Sequence, residues 1–194
     1  EVEGFDNFYN GCDFGYSNDP AAVVRLHWDK KRNTIYVVGE VYAKELTNNL
    51  LAVEIKQLCG KEVVWCDSAE PKSIMELCQY GVTAIKAKKG KDSVNFGIQW
   101  LQQQRIVVDV KCQNMINELS QYKWKEDKDG TTVPIPVDRN NHLIDAMRYC
   151  LYTEMGILEH DRPVRQKSYL ERRYEALGIP YKKQMQNRNK RGAM

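Results

Sequence analysis

Three short segments of this sequence each carry an aspartate in a setting where its charge is costly. They are Tyr9-Asn10-Gly11-Cys12-Asp13-Phe14-Gly15, Val63-Val64-Trp65-Cys66-Asp67-Ser68 and Asn141-His142-Leu143-Ile144-Asp145-Ala146-Met147-Arg148. An ionised carboxylate in or just after an apolar run is expensive to desolvate unless a cation stands beside it. Two such runs, plus an aspartate on a later helix, suggest one shared cation site. Carboxylate oxygens suit hard divalent ions such as Mg²⁺ or Mn²⁺. Asp13, Asp67 and Asp145 are the candidate ligands. His142, three residues before Asp145, can reach the same cation. Two ions about 3.5–4 Å apart clamp a phosphodiester, activate a water and stabilise the leaving oxygen, and holding them takes several carboxylates. Imidazole suits Mn²⁺ better than Mg²⁺, so the set favours Mn²⁺. Taken alone, the helix also fits a plainer account, with Asp145 complementing the helix N-terminus and His142 solvated in its first turn. Asp13 and Asp67 are what favour a shared metal site.

Positioning these groups takes strands first and a helix last. A strand over residues 7–16 alternates Tyr9, Gly11, Asp13 and Gly15 on one side with Asn10, Cys12 and Phe14 on the other. Gly11 and Gly15 then clear the surface around Asp13 for a metal and a bulky phosphodiester. Ala22–Asp29 and Thr34–Tyr42 complete an antiparallel meander of three strands. Residues 47–58 have helical apolar spacing at 50, 51, 55 and 58, stopped by Gly60. Val63–Cys66 reads as a buried parallel strand, with Asp67 at its C-terminal end, where open α/β sheets place ligand crevices. A helix from Pro71, a strand over 82–86, a helix capped by Ser93, a strand over 105–110 and a short helix over 113–119 follow. Asp129-Gly130 turns a hairpin between 121–125 and 131–135. Asn140 or Asn141 caps a helix from His142 to about Met155. Its apolar stripe is Leu143, Ile144, Met147, Cys150 and Leu151, with His142, Asp145 and Tyr149 on the opposite side. The order predicts an α/β fold: a mixed sheet, antiparallel then parallel, with helices on both faces.

Composition narrows the partners. The chain has 194 residues, 42% hydrophobic and 28% charged, enough for one domain with an appendage. No apolar run approaches a membrane span, and no signal-peptide pattern opens the chain. It begins at Glu1 and not Met, which reads as a fragment or a processed product. The six cysteines form no Cys-x-x-Cys pair and read as small buried hydrophobes of a reducing compartment. The formal charge of +3 is uneven: residues 160–194 hold ten Lys/Arg against three Asp/Glu, so the rest is net acidic. A basic tail on an acidic body suits a nucleic-acid or acidic-protein contact, or a solvated helix with a frayed end. Residues 1–159 form the domain and 160–194 the tail, with a helix expected at 168–177. No His-Glu-x-x-His and no Gly-x-x-x-x-Gly-Lys-[Ser/Thr] occurs, so neither a zincin peptidase nor a P-loop motor is encoded here. His27, Trp65 and Trp100 read as packing residues. Glu70 reads as a helix cap and Asp19 as a further candidate at the site.

At these residues the sequence resembles the C-terminal nuclease domain of the large terminase subunit of tailed bacteriophages. The matching stretches are 11–16 with Asp19-Pro20, Trp65 to Pro71, Lys88 to Ser93 with Gly97-Ile98, Tyr122 to Lys125, and Asn141 to Ala146. They span residues 9–155 in the family's order. The resemblance implies a ribonuclease-H-like fold and a two-metal endonuclease that cuts concatemeric viral double-stranded DNA during packaging. It implies Asp13, Asp67 and Asp145 as metal ligands with His142 beside them. It puts Lys88, Lys89 and Lys91 on a loop near the DNA backbone and the 122–135 hairpin at the groove; Lys86 joins these lysines as part of the same basic run in the sequence. The expected partners are an N-terminal ATPase motor outside this sequence, the portal protein and the small terminase subunit, all in the host cytoplasm. Two other functions fit the same residues: another nuclease of this fold, such as a junction resolvase or transposase, and a DNA- or portal-binding module that no longer cuts.

Overall fold

A computed structural model describes residues 4–155, apart from Lys91 and Asp138. The expected basic tail, 160–194, and its helix at 168–177 lie outside the described residues.

Strands β1 (Phe8–Asp13), β2 (Ala21–Asp29) and β3 (Thr34–Ala43) form the antiparallel meander. Helix α1 (Asn48–Cys59) leads to β4 (Val64–Cys66), and α2 (Pro71–Gln79) to β5 (Ala84–Lys86). Helix α3 (Ser93–Gln102) leads to β6 (Arg105–Val108), followed by α4 (Gln113–Gln121). The hairpin is β7 (Trp124–Glu126) with β8 (Thr132–Pro136), and α5 (His142–Leu151) closes the fold, continued by a 3₁₀ turn at Tyr152–Met155. The main sheet runs β5-β4-β1-β2-β3-β6, with β4 parallel to β1, β5 parallel to β4 and β6 parallel to β3. The mixed sheet expected from the sequence is therefore present.

Each face of the sheet has its own core. On one, Ala22, Val24, Leu26, Ile35 and Val37 pack with Ile98, Leu101, Met115, Leu143 and Met147 of α3, α4 and α5. On the other, Cys12, Ala21 and Val23 pack with Leu51, Ala52 and Ile55 of α1 and Leu77 of α2. Truncating a buried Leu in either layer to Ala costs about 2–5 kcal/mol. The buried positions of α1 are Leu51, Ala52, Ile55 and Cys59, while Leu50 is half exposed. Its inward face is thus rotated about one residue from the 50, 51, 55, 58 reading. All six cysteines are free and only Cys78 is exposed.

Several local expectations change. β1 stops at Asp13, so the carboxylate ends the strand. Gly11 does not open space for a ligand: a Cβ there would run into the Ala146 carbonyl of α5. Gly15 likewise faces the Asp19 and Pro20 carbonyls. Both glycines let the protein's own backbone approach closely. Asn141 stands at the N-cap of α5 and Asp92 at that of α3, but neither side chain caps. Ser93 is the first residue of α3 and is buried. Helix α5 is also less amphipathic than its sequence suggests. Arg148 and Tyr149 are 3% and 5% exposed. The reason is that α5 lies between β1, β2 and β4 on one side and α3 and α4 on the other.

Candidate metal centre

Parallel pairing explains why two aspartates meet. Cys12 is in register with Cys66, and the Asp67 amide donates to the Cys12 carbonyl at 3.0 Å. Asp13 and Asp67 therefore leave the C-terminal ends of adjacent strands, whose backbones lie about 4.8 Å apart. The register also sends Cys12 and Cys66 into the α1–α2 core, away from the carboxylates.

The third aspartate comes from the first turn of α5, which Glu118 of α4 holds. One buried Glu118 carboxylate oxygen accepts the Leu143 and Ile144 amides at 2.9 and 3.1 Å. This satisfies orphan donors of the helix start and places a negative charge at its positive end. Burial pushes the Glu118 carboxyl up, against those same two amides. No sequence spacing links residue 118 to 143, so this cap was not legible beforehand.

Each of the three site aspartates has a basic side chain beside it. His142 Nδ1 lies 3.0 Å from Asp13 Oδ2, and its Nε2 lies 3.6 Å from Asp19 Oδ1. Asp19 thus stands beside the site. The Lys89 ammonium donates to Asp67 Oδ1, which also accepts the Ala69 amide at 2.8 Å. Tyr149 donates its hydroxyl to Asp67 Oδ2 at 3.2 Å. Arg148 donates to Asp145 Oδ1 through Nε at 3.0 Å and Nη2 at 2.8 Å. The Asn141 amide donates to Asp145 Oδ2 at 3.4 Å. Among the described residues, no three His, Cys, Asp or Glu side chains are gathered tightly enough to hold an ion as they stand. Lys89 and Arg148 supply positive partners to Asp67 and Asp145 instead, and His142 sets a ring nitrogen against Asp13.

The electrostatics nevertheless mark one negative cluster. Burial pushes the Asp13 carboxyl up, the His142 hydrogen bond opposes it, and the charges of Asp145 and Asp67 add to the rise. Burial also acts to raise Asp67, but the Ala69 amide, Lys89 and Tyr149 outweigh it and hold the group below its ordinary value. The Asp13 hydrogen bond raises His142, against burial. Burial and then the charges of Asp13, Asp145 and Asp67 push the Tyr149 phenol far up, so it stays a donor to Asp67. These hard oxygen donors, mutually repelling and paired with Lys89 and Arg148, fit divalent ions such as Mg²⁺ or Mn²⁺.

Other candidates are placed as follows. Lys86 and Lys88 are exposed and make no ion pair among the described residues, whereas Lys89 is turned onto Asp67. Lys91 lies outside the described residues. A groove of about 450 Å³ runs from the α3 start past the β7–β8 hairpin to Asp145, with Lys125 and Ile135 in its wall. Glu70 stands at the N-cap of α2 and accepts from Ser73 at 3.2 Å, but its side chain caps no backbone amide. His27 stacks on Phe5, and Trp100 packs edge-on against Trp28. Arg148 was missed as a site residue, although its position three after Asp145 on one helix was a usable signal.

Residues 13–153 match the family described as the terminase RNase H-like domain. The chain belongs to that family. It is 38% identical over 160 residues to the terminase large subunit of Bacillus phage SPP1, covering 80% of this chain and 38% of that protein. It is 30% identical over 146 residues to the PBSX phage terminase large subunit of Bacillus subtilis strain 168, covering 74% of this chain and 34% of that protein. The chain therefore spans little more than a third of the length of these relatives. Among solved structures, it resembles the nuclease domain of the SPP1 large terminase with bound Mn, at a TM-score of 0.76 and 36% identity, covering 79% of this chain and 90% of that one. The large terminase nuclease of thermophilic phage G20c, solved with bound magnesium, superposes at a TM-score of 0.54 with 15% identity, covering 75% and 80% of the two chains. At that identity the likeness shows the fold alone. The ribonuclease-H-like fold expected from the sequence is that of this terminase family. Among the described residues, no helix is long and apolar enough to cross a membrane.

Proposed function

We propose that this domain is a metal-dependent endonuclease that hydrolyses double-stranded DNA, using Asp13, Asp67 and Asp145 as ligands of two divalent ions with His142 beside them. The observation that carries this is the placement of Asp13 and Asp67 at the ends of two adjacent parallel strands, with Asp145 in the first turn of α5, the helix packed on both of those strands. The similarity to a Mn-bound terminase nuclease domain supports it. Bound divalent ions would supply an activated water and charge stabilisation of the leaving 3′-oxygen.

The chain's own residues do the rest. Arg148 and Asn141 fix the Asp145 carboxylate. Tyr149 orients Asp67. His142, between Asp13 and Asp19, carries a proton near the reacting phosphate or, once neutral, offers a nitrogen to a metal. That nitrogen is the basis for preferring Mn²⁺ to Mg²⁺. Lys86, Lys88 and Lys89, together with Lys91, contact the DNA backbone, and the β7–β8 hairpin borders the groove that DNA enters. In the whole protein the domain works beside an ATPase motor, at the portal and with the small terminase subunit, in the host cytoplasm. The basic tail, 160–194, is a separate contact segment for DNA or an acidic protein.

The test is supercoiled plasmid incubated with Mg²⁺ or Mn²⁺. Wild type nicks and linearises it. Asp13→Asn and Asp67→Asn lose about a thousandfold or more, as expected when several kcal/mol of metal-borne stabilisation disappear. Full activity in either variant overturns the assignment.

A further inference from the structure

Lys89 is placed to do two incompatible things. Its ammonium donates to Asp67 Oδ1 and lies 4.9 Å from the centroid of the Tyr149 ring. Its side chain is nevertheless 35% exposed and sits on a loop between Lys86 and Ser93. The loop leaves the sheet beside the site, since the Ala87 amide donates to the Cys66 carbonyl at 2.7 Å. Only the Lys89 side chain has to swing for the ammonium to reach solvent. Lys86 and Lys88, on the same segment, are exposed.

Arg148 is the contrasting case. It is 3% exposed and its stem is packed so closely on Gly97 that a Cβ there would stand 2.8 Å from Arg148 Cδ. Arg148 has nowhere to move, and its two bonds fall on Asp145 Oδ1. Lys89 does have somewhere to move, and it covers an oxygen that a metal needs.

We propose that Lys89 is a tethered cation that occupies Asp67 in the metal-free domain and passes to a DNA phosphate when metal binds, so that DNA and metal strengthen each other's binding through this one side chain. This rests on the reading of Asp67 as a metal ligand. An ammonium and a divalent ion cannot both neutralise Asp67 Oδ1. A backbone phosphate that takes the ammonium exposes that oxygen, and a metal that takes the oxygen releases the ammonium to DNA. The factor by which DNA tightens metal binding must then equal the factor by which metal tightens DNA binding. Without DNA, the lysine works against the metal, so the domain stays unloaded until its substrate is in place.

The experiment is calorimetric titration of the 194-residue chain with Ca²⁺, with and without a short blunt DNA duplex, for wild type, Lys89→Ala and Asp67→Asn. Without DNA, Lys89→Ala should bind Ca²⁺ about three- to fivefold more tightly than wild type, the worth of a partly exposed ion pair. The duplex should tighten Ca²⁺ binding to wild type and do so less for Lys89→Ala. If Asp67→Asn weakens binding but Lys89→Ala binds Ca²⁺ no more tightly than wild type, the coupling is wrong and the metal site stands. If Asp67→Asn binds Ca²⁺ as well as wild type, the metal site and the coupling both fall.

Discussion

Asp67 and Asp145 are each held by a basic side chain, and the two pairs differ in every respect that decides whether a partner can leave. Lys89 reaches Asp67 from a loop 22 residues away in sequence, a third exposed and bound through one flexible ammonium. Arg148 reaches Asp145 from the next turn of the same helix, almost wholly buried, through two guanidinium nitrogens. The first is a contact that solvent, salt or a phosphate can replace. The second is part of the packing between α3 and α5. The difference teaches that charge pairing alone does not say whether a carboxylate is available to a metal. Burial and tether of the partner do.

The comparison can be broken by removing the partners. Arg148→Met takes a buried guanidinium away from Asp145, which is itself partly exposed to the groove, and unfolding free energy should drop by about 2–3 kcal/mol in urea titration. A loss below about 1 kcal/mol would make the two pairs alike. Next in size is Gly11→Ala, which drives a methyl into the Ala146 carbonyl and pushes α5 from β1. About 1–3 kcal/mol should be lost, as in other overpacked cores. Cleavage should fall with it, because Asp145 moves away from Asp13. Unchanged activity would show that the α5 position tolerates slack. Lys89→Ala should change stability by less than about 1 kcal/mol, the range of exposed pairs, and a melting temperature far below wild type would contradict its description as removable.

The smallest effect concerns pH. Asp13 raises the folded His142 above its ordinary 6.5. A raised histidine contributes stability that is fully present below the unfolded value and lost as pH rises through the folded one. In metal-free protein, the stability advantage of wild type over His142→Gln should therefore shrink as pH rises from 6.5 through the raised value. Parallel melting curves across that window would show that His142 gains no proton affinity from Asp13.

The sheet and its order were legible because the meander is rich in β-branched and aromatic residues and because Val63–Cys66 is apolar on both faces. The strand pattern alone left open whether the strands of Asp13 and Asp67 are neighbours; the family resemblance implied it, and the parallel pairing of β1 with β4 shows it. The positions that escaped depend on contacts distant in sequence. Gly11 looks like a clearing for a ligand until α5 is seen lying on it. The cap of α5 comes from Glu118 and not from Asn141, since a carboxylate on a packed neighbouring helix outcompetes the local side chain. The polar arc of α5 is legible as an arc, but only packing shows that Tyr149 is buried with its hydroxyl on Asp67 and not in water. Lys89 was readable as basic and near the site. Its bond to Asp67 needed the geometry of the β5 end.

The most direct test of the account is calorimetric titration of the metal-free chain with Mn²⁺, comparing wild type with Asp13→Asn, Asp67→Asn and Asp145→Asn. If the three aspartates form one centre, each substitution should weaken Mn²⁺ binding about tenfold or more, since each removes a charged oxygen ligand. Folding in each case can be checked by an unchanged cooperative melt. Mn²⁺ binding that is equal in wild type and all three variants would contradict the account.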